Sequence, residues 1–176
     1  PVKQILDDAP RLSAEWLDQM RFLSSYYQRP LGETIAGALP PRLRSLKPLP
    51  KKRKAAADAD ALHPPAYVPG PPPNLDQALA IERIGAAFGG FRTFLLHGIT
   101  GSGKTEVYLR LIAEVIARGQ QALALVPEIG LTPQLEARFR HAFPGARIAV
   151  LHSALEETPR THAWLDAARG AAQIVL

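Results

Sequence analysis

The chain has 176 residues, no Cys, and 21 Lys/Arg against 16 Asp/Glu, giving a formal charge of +5. That length allows a real apolar core in one ordinary domain or one and a half small ones, and the lack of Cys excludes a disulfide framework or a Cys-based zinc site within it. No apolar run approaches the roughly 18–20 residues that span a bilayer, and no charged-then-apolar signal opens the chain, so a cytoplasmic setting without membrane contact is expected.

The charge is uneven. Residues 1–73 carry 11 Lys/Arg against 7 Asp/Glu, and residues 74–176 carry 10 against 9, which makes the first part the better contact for a polyanion. The chain begins at Pro1 without Met and stops at Leu176 in an apolar run, which reads as a piece of something longer.

Residues 1–6 suit a short strand, and Asp7-Asp8-Ala9-Pro10 suits a turn. Ser13 is placed to cap a helix, with Leu12 and Leu17 spaced as a hydrophobic staple. Trp16, Met20, Leu23 and Tyr27 form one apolar stripe on that helix, which predicts burial; Tyr26 and Tyr27 stacking on bases is the alternative. Pro30 ends the helix, and residues 31–39 suggest a shorter one that stops at Pro40-Pro41.

Residues 42–54 contain Arg42, Arg44, Lys47, Lys51, Lys52, Arg53 and Lys54 with no acid among them. Such a run can hold phosphates with strong salt dependence, or serve as a solvated linker. Six prolines in residues 64–73 predict an extended, semi-stiff connector at a domain boundary.

Asn74 then reads as the cap of a helix with Leu75, Leu79, Ala78, Ile81 and Ile84 on its buried side, broken at Gly89-Gly90. The apolar run Phe94-Leu95-Leu96 predicts a short buried strand, and His97 its packed end. Directly behind it, Gly98-Ile99-Thr100-Gly101-Ser102-Gly103-Lys104-Thr105 matches G-x-x-x-x-G-K-[ST], the phosphate-cradling loop. Glycines let backbone wrap an anion, and the helix start behind them offers unpaired N–H groups and a positive dipole end. Lys104 is placed to reach the β- and γ-phosphates of ATP, and the Thr105 hydroxyl to ligate Mg²⁺.

After the helix of residues 106–117, strands are expected over residues 122–126, 146–151 and from 173, alternating with helices over 131–143 and 158–169. Alternation without hairpin signals predicts α/β architecture with a parallel sheet. Ligands of such sheets bind at the carboxyl ends of strands, which directs attention to the loop Val126-Pro127-Glu128-Ile129-Gly130-Leu131-Thr132-Pro133-Gln134, as a nucleic-acid contact or as a Pro-punctuated turn. His152-Ser153 ends the third strand on the same edge, where a phosphate or loop contact is more reasonable than a nucleophilic pair. Gln77, about twenty residues upstream of the phosphate loop, suits either an adenine edge or a surface position. Trp164 reads as a core residue.

Taken together, the segments at residues 100–108, 125–134 and 150–153 resemble the PriA family of primosomal replication-restart helicases, members of helicase superfamily 2. The string Pro127-Glu128-Ile129-Gly130-Leu131-Thr132-Pro133-Gln134 is far more specific than a phosphate loop alone, and Tyr26-Tyr27-Gln28-Arg29-Pro30-Leu31-Gly32-Glu33 with Ala38-Leu39-Pro40 resembles the end of that family's N-terminal domain. The resemblance implies a 3′-DNA-end-binding tail over residues 1–44, a basic, Pro-rich linker over 45–73, and the first part of a RecA-like motor lobe over 74–176. It implies ATP and Mg²⁺ held by Gly98, Thr100, Gly101, Ser102, Gly103, Lys104, Thr105, Glu106 and Gln77. It implies DNA contacts at Pro127, Glu128, Gly130, Thr132 and Gln134, to which the basic run adds Arg42, Arg44, Lys51 and Lys52.

The same resemblance implies forked and single-stranded DNA, primosome proteins and single-stranded-DNA-binding protein as partners. Zinc, the Asp-Glu-x-His motif and every catalytic residue are expected outside these residues, so the piece alone is expected not to turn over ATP. Many members insert a winged-helix domain where this chain has only the linker. A non-catalytic DNA-binding adaptor with an idle phosphate loop, and a restriction-type translocase, stay open as alternatives.

Overall fold

A computed structural model describes residues 11–45, 65–127 and 132–176. The expected strand at residues 1–6, Lys51 and Lys52, Glu128 and Gly130 lie outside the described residues, as does the side chain of Thr132. Contacts divide the chain into two compact units, one from residues 1–59 and 149–172, the other from residues 60–148 and 173–176. This division differs from the one that composition suggests, because residues 149–172 fall with the N-terminal unit.

In the first unit, α1 (Ala14–Tyr26) begins where expected: the Ser13 hydroxyl accepts from the Trp16 N–H at 3.1 Å. Pro30 opens α2 (Leu31–Ala38), its fixed φ suiting a helix start, and α2 packs against α1. Prolines at 40 and 41 then limit the chain to a 3-10 turn over Pro41–Arg44. That turn packs on α6 (Glu157–Ala168), whose Thr161 and Leu165 are buried and whose Thr161 hydroxyl donates to the Glu157 carbonyl at 2.7 Å. The apolar stripe of α1 is only partly inside: Met20 is buried, while Tyr27 is 64% exposed. Tyr27 sits past the helix end, where the stripe's register no longer applies, and makes an edge contact with Tyr26 instead.

In the second unit, α3 (Leu75–Gly85) starts with a capping box: the Asn74 carboxamide accepts from the Gln77 N–H at 2.9 Å, and Gln77 Oε1 accepts from the Asn74 N–H at 3.0 Å. It packs on α4 (Lys104–Ala117), which buries Val107, Leu109, Leu111 and Ile116. β1 (Ala122–Leu123) follows, then α5 (Thr132–Ala142), β2 (Ile148–Ala149) and, after α6, β3 (Ile174–Val175). The strands form one sheet in the order β1-β3-β2, with β1 parallel to β3 in the register Ala122 to Ile174 and Leu123 to Val175. Phe139, Phe143 and Ile174 are buried in the core of this unit.

Three expectations change here. The half-buried face of α3 runs through Gln77, Ile81 and Ile84, so Leu75 and Leu79, expected on the buried side, fall outside it and are 90% and 45% exposed, and Ala78 is exposed as well. Residues 94–96 are not a strand: among the described residues no strand runs beside them, their backbone has no ladder to join, and Leu95 is 89% exposed. His97, expected as a packed strand end, is exposed for the same reason.

Residues 65–73, with five prolines, form no helix or strand, and they are packed onto their unit rather than loose. Tyr67 stacks on Phe143 with ring centroids 5.2 Å apart, the Val68 N–H donates to the Ala142 carbonyl at 2.8 Å, and Arg110 donates to the Pro71 carbonyl at 2.9 Å.

Candidate functional site

The phosphate-loop motif occupies the turn that leads into α4. Gly101 and Gly103 have φ of +84° and +80°, values that an L side chain adopts only under strain. Gly103 is the N-cap of α4 and no side chain caps the helix, so the first-turn N–H groups and the positive dipole end are left for an anion. A Cβ added at Gly103 would also collide with Gln77 Nε2. The glycine therefore serves both the turn and the close approach of α3.

Lys104 Nζ donates to the carbonyls of Gly98 and Ile99 at 2.6 and 2.8 Å, which ties its charge to the loop and leaves a third ammonium donor for a phosphate. Gln77 Nε2 donates to the Ser102 carbonyl at 3.0 Å. Gln77 thus braces the loop with the same amide that closes the α3 capping box.

Glu106 points to neighbours of its own. Its carboxylate lies 3.0 Å from Arg110 Nε, a charge contact whose N–H is not aligned for a hydrogen bond, and it accepts from the Tyr67 hydroxyl at 3.4 Å. Partial burial and then the Glu106 charge push the Tyr67 phenol above its ordinary pKa, against the opposing pull of Arg110. Gly70 is packed so close that an added Cβ would meet Glu106 Oε2 at 2.5 Å.

A cavity of about 560 Å³ is lined by Thr100 to Glu106, by Gln77, and by Pro71, Pro72 and Arg138. Its size suits a nucleotide. Backbone donors, an ammonium and a hydroxyl at Thr105 make the residues present a fit for a triphosphate with its cation. Gly98 lines a smaller neighbouring cavity of about 270 Å³ with Asn74, Gln77 and Lys104. Pro71, Pro72 and Arg138 carry no motif, and only the fold brings them to this cavity.

Of the expected DNA contacts, Pro127 follows β1 and lines an apolar groove that also includes Lys104, Thr105 and Tyr108. Gln134 is exposed on α5. Arg44 is exposed in the 3-10 turn and Arg42 half-buried beside it. Arg44, His152 and Ser153 line a separate cavity with Arg160 and Trp164. Trp164 is half-buried there rather than a sealed core residue.

With this geometry in view, the chain's relatives become interpretable. Residues 71–168, more than half of the chain, match the family model described as Type III restriction enzyme, res subunit, and residues 1–40 match the model described as 3′DNA-binding domain (3′BD). The chain belongs to the Type III restriction enzyme res subunit family, whose RecA-like α/β lobe contains the phosphate loop described above.

Curated relatives carry the narrower description "Replication restart protein PriA". The chain is 48% identical to that of Haemophilus influenzae over 103 residues (58% of this chain, 14% of the relative) and 51% identical to that of Synechocystis over 87 residues (49% and 10%). It is 37% identical to that of Treponema pallidum over 144 residues (82% and 20%). The chain spans a fifth or less of the length of these relatives.

Proposed function

We propose that the chain contributes the nucleotide-binding front of an ATP-dependent 3′→5′ DNA helicase that acts in the cytoplasm at stalled or abandoned forks and starts primosome assembly. One observation carries this reading: the glycine-shaped loop, with Lys104 and Thr105 at the uncapped start of α4, faces a nucleotide-sized cavity within the residues that match the motor family. The match of residues 1–40 to a 3′ DNA-binding domain favours a replication-restart enzyme over a restriction-type translocase, and supports DNA as the partner.

In this reading the α4 N-terminus and Lys104 hold the β- and γ-phosphates, and the Thr105 hydroxyl orients the Mg²⁺. Gln77 fixes the loop from the side of α3 and offers its amide near the base. Pro71, Pro72 and Arg138 wall the cavity and limit water. Hydrolysis of bound ATP supplies the free energy for movement along DNA; that turnover, and contacts with primosome proteins and single-stranded-DNA-binding protein, are proposed for the whole protein. Pro127, Gln134 and Arg42 are proposed to meet DNA backbone.

The test has two parts. A fluorescent ATP analogue titrated into this chain should bind with Mg²⁺ present, and Lys104→Ala should weaken it at least about tenfold, the loss of a charge-assisted phosphate contact. In the whole protein the same substitution should abolish fork-stimulated ATP hydrolysis while leaving fork binding largely intact. Wild-type hydrolysis by Lys104→Ala would defeat the assignment.

A further inference from the structure

A second cavity, of about 320 Å³, lies inside the first compact unit, away from the phosphate loop in sequence. It is lined by Gly37 to Pro41, Arg44 of the 3-10 turn, Leu151 to Ser153, and Arg160 and Trp164 of α6. Arg160 and Trp164 stand four residues apart, so one helix face carries a guanidinium and an indole side by side. Among the described residues no carboxylate lines this cavity.

Two nitrogens of its lining residues are sealed from solvent and have no hydrogen-bond partner: Arg160 Nε and His152 Nδ1. A buried donor without an acceptor is unfavourable, and a guanidinium N–H can only donate. The side chains of Gly37 to Pro41 supply no acceptor, and no described backbone carbonyl is within hydrogen-bonding reach of either nitrogen. A small turn of either side chain into the adjoining cavity would relieve the deficit if something there accepted several hydrogen bonds and carried negative charge.

We infer that this cavity is a phosphate-binding site, built from Arg160, His152, Ser153 and Arg44, with Trp164 as an apolar platform, and that the phosphate belongs to a DNA strand. The preference for a phosphate follows from the cavity alone; its assignment to DNA backbone rests on the proposed function. A phosphodiester satisfies the orphaned Arg160 Nε–H, the Ser153 hydroxyl and the exposed Arg44 together, and takes a hydrogen bond from His152 Nδ1 when that nitrogen carries the proton. The indole then offers a face for the neighbouring sugar or base.

The experiment follows the Trp164 indole and His152 ring resonances of the isotopically labelled chain as inorganic phosphate, and separately a short oligothymidylate, is added. Both probes should move both signals saturably. Arg160→Gln should weaken the oligonucleotide roughly tenfold, and Arg44→Gln, at an exposed position that leaves packing alone, should lower the salt slope by roughly 0.7. An equal response in wild type and Arg160→Gln overturns the site. Movement with inorganic phosphate but not with the oligonucleotide overturns DNA as its source. If neither probe moves Trp164 while the ATP analogue still binds, the pocket fails and the motor reading survives. If phosphate moves Trp164 but Lys104→Ala leaves ATP-analogue binding unchanged, the motor reading fails and the pocket stands.

Discussion

The side-chain amide of Gln77 links two backbone segments, one of them 25 residues beyond it: its oxygen accepts from the Asn74 N–H, and its nitrogen donates to the Ser102 carbonyl at 3.0 Å. One residue therefore closes the start of α3 and braces the phosphate loop. The two jobs use different atoms, which makes them separable by substitution. Gln77→Glu keeps the acceptor for Asn74 but turns a carboxylate oxygen toward the Ser102 carbonyl. Stability should fall by less than about 1 kcal/mol while ATP-analogue affinity drops several-fold. Gln77→Ala loses both bonds and should cost about 1–2 kcal/mol in urea unfolding. Wild-type nucleotide affinity in Gln77→Glu would show that the brace is idle.

Gly103 tests the same junction from the other side. Alanine there must hold φ near +80° and would press its methyl into Gln77 Nε2. The left-handed conformation alone costs about 1–2 kcal/mol. Gly103→Ala is expected to lower the unfolding midpoint and to remove detectable nucleotide binding. Gly101→Ala has the same strain, with nothing within 4 Å of its Cβ, and should lose stability while keeping more of the affinity. Equal effects on binding would mean that backbone strain, rather than the Gln77 contact, decides the site.

Helix starts in this chain were legible because their signals are local. Ser13 and Asn74 act within one turn, and each cap appears where the residues place it, whereas the share of Gln77 in the capping box and Pro30 as the cap of α2 came only with the structure. The phosphate loop was legible for a related reason, since its glycines dictate backbone shape directly. Strands depend on neighbours that sequence does not specify: the apolar run at 122–126 pairs only over Ala122–Leu123, and residues 94–96 pair with nothing among the described residues. Pairings such as Tyr67 with Phe143 or Arg110 with Pro71 cross tens of positions and carry no periodic mark. For that reason a stretch read as a spacer turned out to line the cavity beside the glycine loop.

Tyr67 gives that docked stretch a pH signature. Its ring rests on Phe143 and its hydroxyl donates to Glu106, and partial burial raises the phenol's pKa. A group whose folded pKa is raised contributes stability that is fully present below its unfolded value, near 10, and is lost as pH rises through the folded value. The phenol should therefore add no pH dependence to thermal unfolding near neutrality, stability should decline above about pH 10, and Tyr67→Phe should flatten that decline. Tyr67→Ala removes the stack as well and should cost about 1–2 kcal/mol at pH 7, less than the roughly 3–5 of a fully buried aromatic. An unchanged alkaline limb in Tyr67→Phe would rule out the phenol as its source.

The start of α1 supplies the opposite sign. Glu15 in its first turn is held below its ordinary pKa, first by a backbone N–H hydrogen bond and then by the Ser13 hydroxyl. A carboxylate with a depressed folded pKa contributes stability present above its unfolded value, about 4.3, and lost as pH falls through the folded value. Acid titration of helix content should thus show a decline below about pH 4 that Glu15→Gln removes. Ser13→Ala deletes both the cap to Trp16 and the hydroxyl beside Glu15, so it should cost about 1 kcal/mol at pH 7 and also shrink the acid-side decline. Ser13→Asp restores a capping oxygen but sets a second negative charge next to Glu15, which should return neutral-pH stability while reducing the depression of the Glu15 pKa. A loss at neutral pH with an unchanged acid limb in Ser13→Ala would show that the backbone N–H alone sets the Glu15 carboxylate.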